Sequence, residues 1–307
     1  MNLLSGIIVI AGLCLFEIIS SIDNAIINAE VLTTMRPKAR RWFLIWGLLF
    51  AVFLVRGLLP WLIVWATTPQ LNAWQALTAT FTSDPRVLEA VELSSPMLLI
   101  GGGTFLIFLF FHWLFIEPKN YGFRGEKFFH AQSVWFFAIV AVLLTLIVWF
   151  ALQINPLMAF GAVVGSTAFF ITHGFKQNAE VGEKNLLRKN MSDVSKILYL
   201  EVLDATFSID GVLGAFAFTL SVPLIFLGNG VGAIVVRQMT VGNLDKIKKY
   251  IYLKNGAMYS ILCLGIIMLL DSFGFNLPSW ASPLITFASV GYFFYKSKLH
   301  IKQKAAA

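Results

Sequence analysis

Charge is scarce in this 307-residue chain: Asp, Glu, Lys and Arg together make up 13% of it. Soluble domains carry about 25%, so an ordinary water-facing globular domain is excluded. Cysteine is scarcer still. Cys14 and Cys263 both lie within apolar runs, which excludes a disulfide scaffold and leaves no thiolate cluster for a soft metal. No basic stretch precedes the first apolar run, so a cleavable leader is not expected. The net charge of +7 does not point to nucleic acid, because the basic residues are confined to short segments between apolar runs. What the chain does have is apolar surface. Hydrophobic residues make up 58%, the mean hydropathy is +0.79, and 29 Phe and 9 Trp fit lipid-facing helices and interfacial belts. The chain reads as an all-α, polytopic membrane protein whose constant partner is the lipid bilayer.

About nine spans are expected. The first run, 3–32, would make roughly 45 Å of helix, well beyond the roughly 30 Å hydrocarbon core, so it should tilt strongly or break, with Ser20–Ser21 the expected place for a break. Further spans follow at about 42–66 (with Arg56 and Pro60), 96–116 (with His112), 132–152 and 156–172. The last four fall at about 197–221, 222–242 (with Arg237), 255–271 and 283–296. Basic segments at 35–41, 117–130, 173–196, Lys246 to Lys254 and Lys296 to Lys302 all fall on one side if the N-terminus is outside and the C-terminus cytoplasmic. One transmembrane domain is expected, with a repeat at about 1–130, a second at about 197–300 and connecting spans at about 131–196.

The repeat rests on a duplicated motif. Residues 17–24 read Glu-Ile-Ile-Ser-Ser-Ile-Asp-Asn and residues 204–211 read Asp-Ala-Thr-Phe-Ser-Ile-Asp-Gly. Aligned on Ser-Ile-Asp, Glu17 matches Asp204, Ser21 matches Ser208, Asp23 matches Asp210 and Asn24 matches Gly211. An acid at the bilayer centre costs about 2.5–3.5 kcal/mol, so two copies suggest a shared purpose. The expected topology runs them in opposite directions, as an inverted repeat requires, and each is followed by a span carrying one arginine, Arg56 or Arg237.

Glu17, Ser20, Asn24 and Asn28 share one helical face, whereas Asp23 lies about 240° around from Glu17, and Asp210 likewise from Asp204. All four acids would converge only if both helices unwound near Ser20–Ser21 and Thr206–Ser208. Such a site is oxygen-rich and anionic and suits manganese, calcium or magnesium as a transported ion, with no resident cofactor. Glu17, Asp23, Asn24, Asp204, Ser208 and Asp210 are the expected ligands, with Ser21, Asn28, Arg56 and Arg237 in support. Crowded carboxylates would bind protons when empty, which outlines a cation–proton exchanger. Glu201 reads either as a ligand on the access path or as a snorkelling residue. His112 reads first as a packing residue, and His130 and His173 as solvated loop residues. An intramembrane aspartyl protease is a second class, but Glu17 and Asp204 have no role in a two-Asp dyad. A membrane anchor for cytoplasmic partners would leave the buried acids unexplained.

At Glu17 to Asn28, Leu200 to Thr219 and Val236 to Thr240 the sequence resembles the TerC family of membrane proteins, of the lysine-exporter-like group. The resemblance implies a divalent-metal exporter, most readily for manganese, in a bacterial inner membrane. It assigns Glu17, Asp23, Asp204 and Asp210 to the metal, and implies cytoplasmic tellurite-resistance proteins as partners.

Overall fold

A computed structural model describes residues 3–79, 84–188, 191–242 and 248–306. Lys246 and Lys189, in the expected basic segments, lie outside them. Among the described residues the chain is all helical. Six helices among the described residues are long and apolar enough to cross a membrane: Leu3–Ser20, Pro85–Phe115, Ser133–Leu152, Pro156–Asn178, Val222–Met239 and Leu253–Ser272.

The first expected span is two helices, α1 (Leu3–Ser20) and α2 (Ile22–Thr33). At the joint Ser21 leaves helical geometry (φ −91°, ψ 2°). Its N–H still bonds Glu17 O at 3.1 Å, and Ala25 N–H bonds Ser21 O at 2.9 Å. The element bends there and does not unwind.

After α3 (Pro37–Trp42), the chain widens into π-helix at Phe43–Gly47, tightens in α4 (Leu48–Phe50), and widens again at Ala51–Leu58 before α5 (Leu59–Thr67). Pro60 explains part of this. It has no N–H for the carbonyl of Arg56, four residues earlier, and its ring crowds that carbonyl. A wider turn relieves the crowding, and π-turns are frequent at functional sites. α6 (Ala73–Thr78) opens on a capping box between Asn72 and Gln75.

The core is α7 (Pro85–Phe115), which packs between α10 (Pro156–Arg188) and the later helix α13 (Leu253–Ser272). The close approach of α7 to α10 depends on glycine: a Cβ on Gly101 would lie 2.8 Å from Gly161 O. Phe105, Phe108, Phe136 and Phe169 fill the space below. α8 (Arg124–Ala131) follows α7, and α9 (Phe136–Leu152) leans on α10. α11 (Asp193–Ala215) carries the second motif, α12 (Val222–Gly242) lies along α1, and α14 (Ala281–Ala306) covers α13 and α1.

Two expectations are corrected here. α11 runs unbroken from Asp193 to Ala215, so the second motif helix is not broken. Thr206 Oγ1 donates back to Val202 O (2.8 Å) and Ser208 Oγ to Asp204 O (2.6 Å), so both hydroxyls are satisfied within the intact helix. α10 also continues well past residue 172, which carries His173 and Lys176 into the bundle instead of a loop.

Candidate functional site

The two motif copies meet, and they do so in register. Glu17 of α1 and Asp204 of α11, which are matched in the repeat, share one guanidinium. Arg56 Nη2 and Nε donate to Glu17 Oε1 at 2.7 and 2.9 Å, and Arg56 Nη1 lies 3.6 Å from Asp204 Oδ2. Ser21 Oγ donates to the same Glu17 oxygen (2.7 Å), and Asn24 Nδ2 donates to Asp204 Oδ1. All five side chains are buried, Arg56 and Glu17 at 3% and 1% exposure. Two glycines make the room. A Cβ on Gly211 would lie 2.8 Å from Glu17 Oε2, and one on Gly232 would lie 2.6 Å from Glu17 Cβ. Gly211, matched to Asn24 in the repeat, is thus the notch that admits the Glu17 carboxylate.

Asn28 is buried one turn after Asn24. Ser208 is spent on its own helix backbone. Arg237 lies over the Phe43 ring at 4.3 Å and faces Asp204 and Glu201 electrostatically. Glu201 packs against the backbone of the π-helical tract, where a Cβ on Gly47 would collide with its Oε1. Glu201 therefore sits inside the bundle and does not snorkel to its edge.

The second matched pair, Asp23 and Asp210, lies elsewhere. Both line a cavity of about 470 Å³ together with Glu117, His112, His173, Lys176 and Lys254. Lys254 Nζ, at the start of α13, is 2.7 Å from Asp23 Oδ2 and 2.7 Å from Glu117 Oε2. Lys176 Nζ donates to Asp210 Oδ2. His112 Nδ1 lies 3.4 Å from Glu117 Oε1, and the rings of His112 and His173 are 3.9 Å apart. His112 is thus an inward residue at the cavity wall, and His173 is its neighbour, not a loop residue.

Glu117 lies just past the end of α7. Burial works against its charge, but contact with His112 and the Lys254 ammonium outweighs burial and holds the carboxyl well below the ordinary carboxylate range.

The four expected acids therefore do not form one cage. An intact α11 points Asp204 and Asp210 to different sides of the helix, and each finds a cation there. Among the described residues no three His, Cys, Asp or Glu side chains converge as a ready-made metal site. Sequence reasoning missed Glu117, Lys176 and Lys254. Both lysines flank apolar runs, where they read as orientation signals. The faint clue for Glu117 and Lys254 is that each stands at a helix end, whereas Lys176 lies inside α10.

A family profile described as "Protein of unknown function (DUF475)" matches residues 22–304. The chain belongs to that family. No curated protein and no solved structure matches it. The DUF475 match spans all of the second motif and the cavity acids Asp23, Glu117 and Asp210, but begins five residues after Glu17.

Proposed function

We propose that this protein is a membrane transporter for a divalent cation, with manganese the expected cargo, calcium the alternative and protons the coupling ion. The observation that supports this reading is the cavity, which is lined by the matched acids Asp23 and Asp210 from the two motif copies together with Glu117. Carboxylate oxygens suit hard divalent ions. Three carboxylates face two ammonium groups there, so a negative charge is left over for a cation.

The register of the two clusters supports the inverted repeat, because Glu17 meets Asp204 while Asp23 and Asp210 share the cavity. Nine spans belong to this proposal. It adds α11, α14 and the tract 43–67, in which Leu54–Thr67 is a shorter apolar helix, to the six long apolar helices. The N-terminus is outside, the cavity faces the cytoplasm, and cargo moves outward. Asp23, Asp210 and Glu117 bind the ion. Glu17, Asp204, Asn24, Ser21 and Arg56 hold α1, α11 and the π-helical tract together, and Arg237 with Glu201 gates that junction. A protease dyad needs two carboxyls sharing a proton. Asp23 and Asp210 each contact a lysine instead, which disfavours that reading.

The test is uptake of manganese into sealed vesicles containing the purified protein. Wild type should move manganese, and the Asp23→Asn/Asp210→Asn variant should not. Equal flux in both would overturn the assignment of the cavity.

A further inference from the structure

We infer that Lys254 is a built-in competitor of the transported cation: its ammonium occupies the seat that the cargo must take. This rests on the transport reading. Lys254 Nζ lies 2.7 Å from each of two carboxylates on different elements, Asp23 of α2 and Glu117 after α7. That spacing is close to the roughly 2.3–2.6 Å of a calcium–oxygen contact, so the ammonium marks a point where a hard cation would find the same two oxygens.

The placement of Lys254 has no explanation in helix stability. It is in the first turn of α13, where the helix dipole disfavours a positive charge. Its arm is also the movable part of a fixed base. Next to it, Asn255 is buried, and its Nδ2 donates to Asn120 O (2.9 Å) and to Glu126 Oε2 (3.0 Å). Tyr252 N–H donates to Ser297 Oγ at 3.0 Å. The backbone is thus pinned on both sides, while the Lys254 side chain is 35% exposed and Asp23 is 42% exposed. An incoming cation can reach the pair and release the ammonium into the cavity.

Arg56 offers the contrast, because it is 3% exposed and bound to Glu17 by two donors. Lys176 differs in a second way. Among the described residues its ion pair is with Asp210, beside the Phe207 ring, and it does not bridge two carboxylates as Lys254 does.

The exchange trades one cation for another at the same carboxylate oxygens. A divalent ion arrives and the lysine ammonium leaves the two carboxylates for the cavity. When cargo departs, the ammonium returns, so the empty site is never a bare cluster of acids.

The experiment measures manganese and calcium binding to purified protein by titration calorimetry in wild type, Lys254→Gln, Lys254→Arg and the charge-conserving Glu117→Gln/Lys254→Gln. Lys254→Gln should bind manganese about tenfold tighter or more, which corresponds to removal of one ion-pair competitor. Lys254→Arg should stay near wild type or weaker. Methylammonium should compete with manganese in Lys254→Gln and have little effect in wild type, an outcome that a merely structural lysine would not produce. If Lys254→Gln misfolds, the charge-conserving double variant keeps Asp23 free and should still show competition by methylammonium. Wild-type binding with an unchanged or weaker Lys254→Gln overturns the competitor role and leaves the transport reading standing. No manganese or calcium binding by any folded variant overturns both.

Discussion

The two acid pairs of this protein differ in how their charge is held. Glu17 and Asp204 share one arginine, sealed from solvent and fixed by several donors. Asp23 and Asp210 are held by lysines on a cavity wall, where both partners of the Asp23 pair remain partly exposed. A planar guanidinium can serve two carboxylates rigidly, whereas an ammonium on a flexible stem is a point charge that can leave. One motif position in each copy therefore reads as a clamp and the other as a working site.

The largest effect should come from breaking the clamp. Arg56→Gln leaves two buried carboxylates without their cation and should cost about 3–5 kcal/mol, read as a large fall in thermal midpoint in detergent or in folded yield. Asp23→Asn should stay within about 1 kcal/mol of wild type by the same measurement, because its partner is partly exposed. A reversed order of these two variants would erase the distinction between the pairs. Next in size is Gly232→Ala. The added methyl meets Glu17 Cβ and Cγ at 2.6 and 2.8 Å, and overpacking of this kind costs about 1–3 kcal/mol. Manganese binding by the cavity should be little changed in it.

Two pH effects are smaller and concern the cavity end of the bundle. The folded-state pKa of Glu117 is depressed, so its contribution is complete above the unfolded value of about 4.3 and is lost as pH falls further. The thermal midpoint of wild type should thus drop more steeply below about pH 4 than that of Glu117→Gln. Lys119 has a dependence of the same sign in a higher pH window. It caps α7 by donating to Trp113 O and to Leu114 O (2.6 Å), with its charge over the Trp113 ring. Burial lowers its pKa to about 8, offset in part by Glu126 and Glu117. Between about pH 8 and the unfolded value of about 10.4 the unfolded chain holds more protons at this position, so stability should rise with pH there. Lys119→Met should flatten that rise.

Much of the fold was legible before any coordinates. An apolar run too long for the hydrocarbon core pointed to a discontinuity at Ser20–Ser21, and α1 does give way to α2 there, but without the expected unwinding. The span starts expected at about 156 and 222 match the helix starts Pro156 and Val222, with proline at 156 and 223 as the punctuation. The expectation of nine spans exceeds the six long apolar helices because α11 carries Asp193, Lys196, Glu201, Asp204 and Asp210, while the tract 43–67 divides into π and α segments. The break expected in α11 failed because it served to bring Asp210 round to Asp204's side. Once Lys176 meets Asp210 where it stands, no unwinding is required.

From its residues alone this chain declares an apolar helical bundle, a duplicated acidic motif, and which positions of the two copies correspond. Those properties depend on local periodicity and on the cost of charge in lipid. The folded arrangement alone assigned a cation to each acid, because Arg56, Lys176 and Lys254 are far from their partners in sequence and reach them only when separate helices pack. It is that pairing across helices which separates a sealed clamp from an accessible cavity.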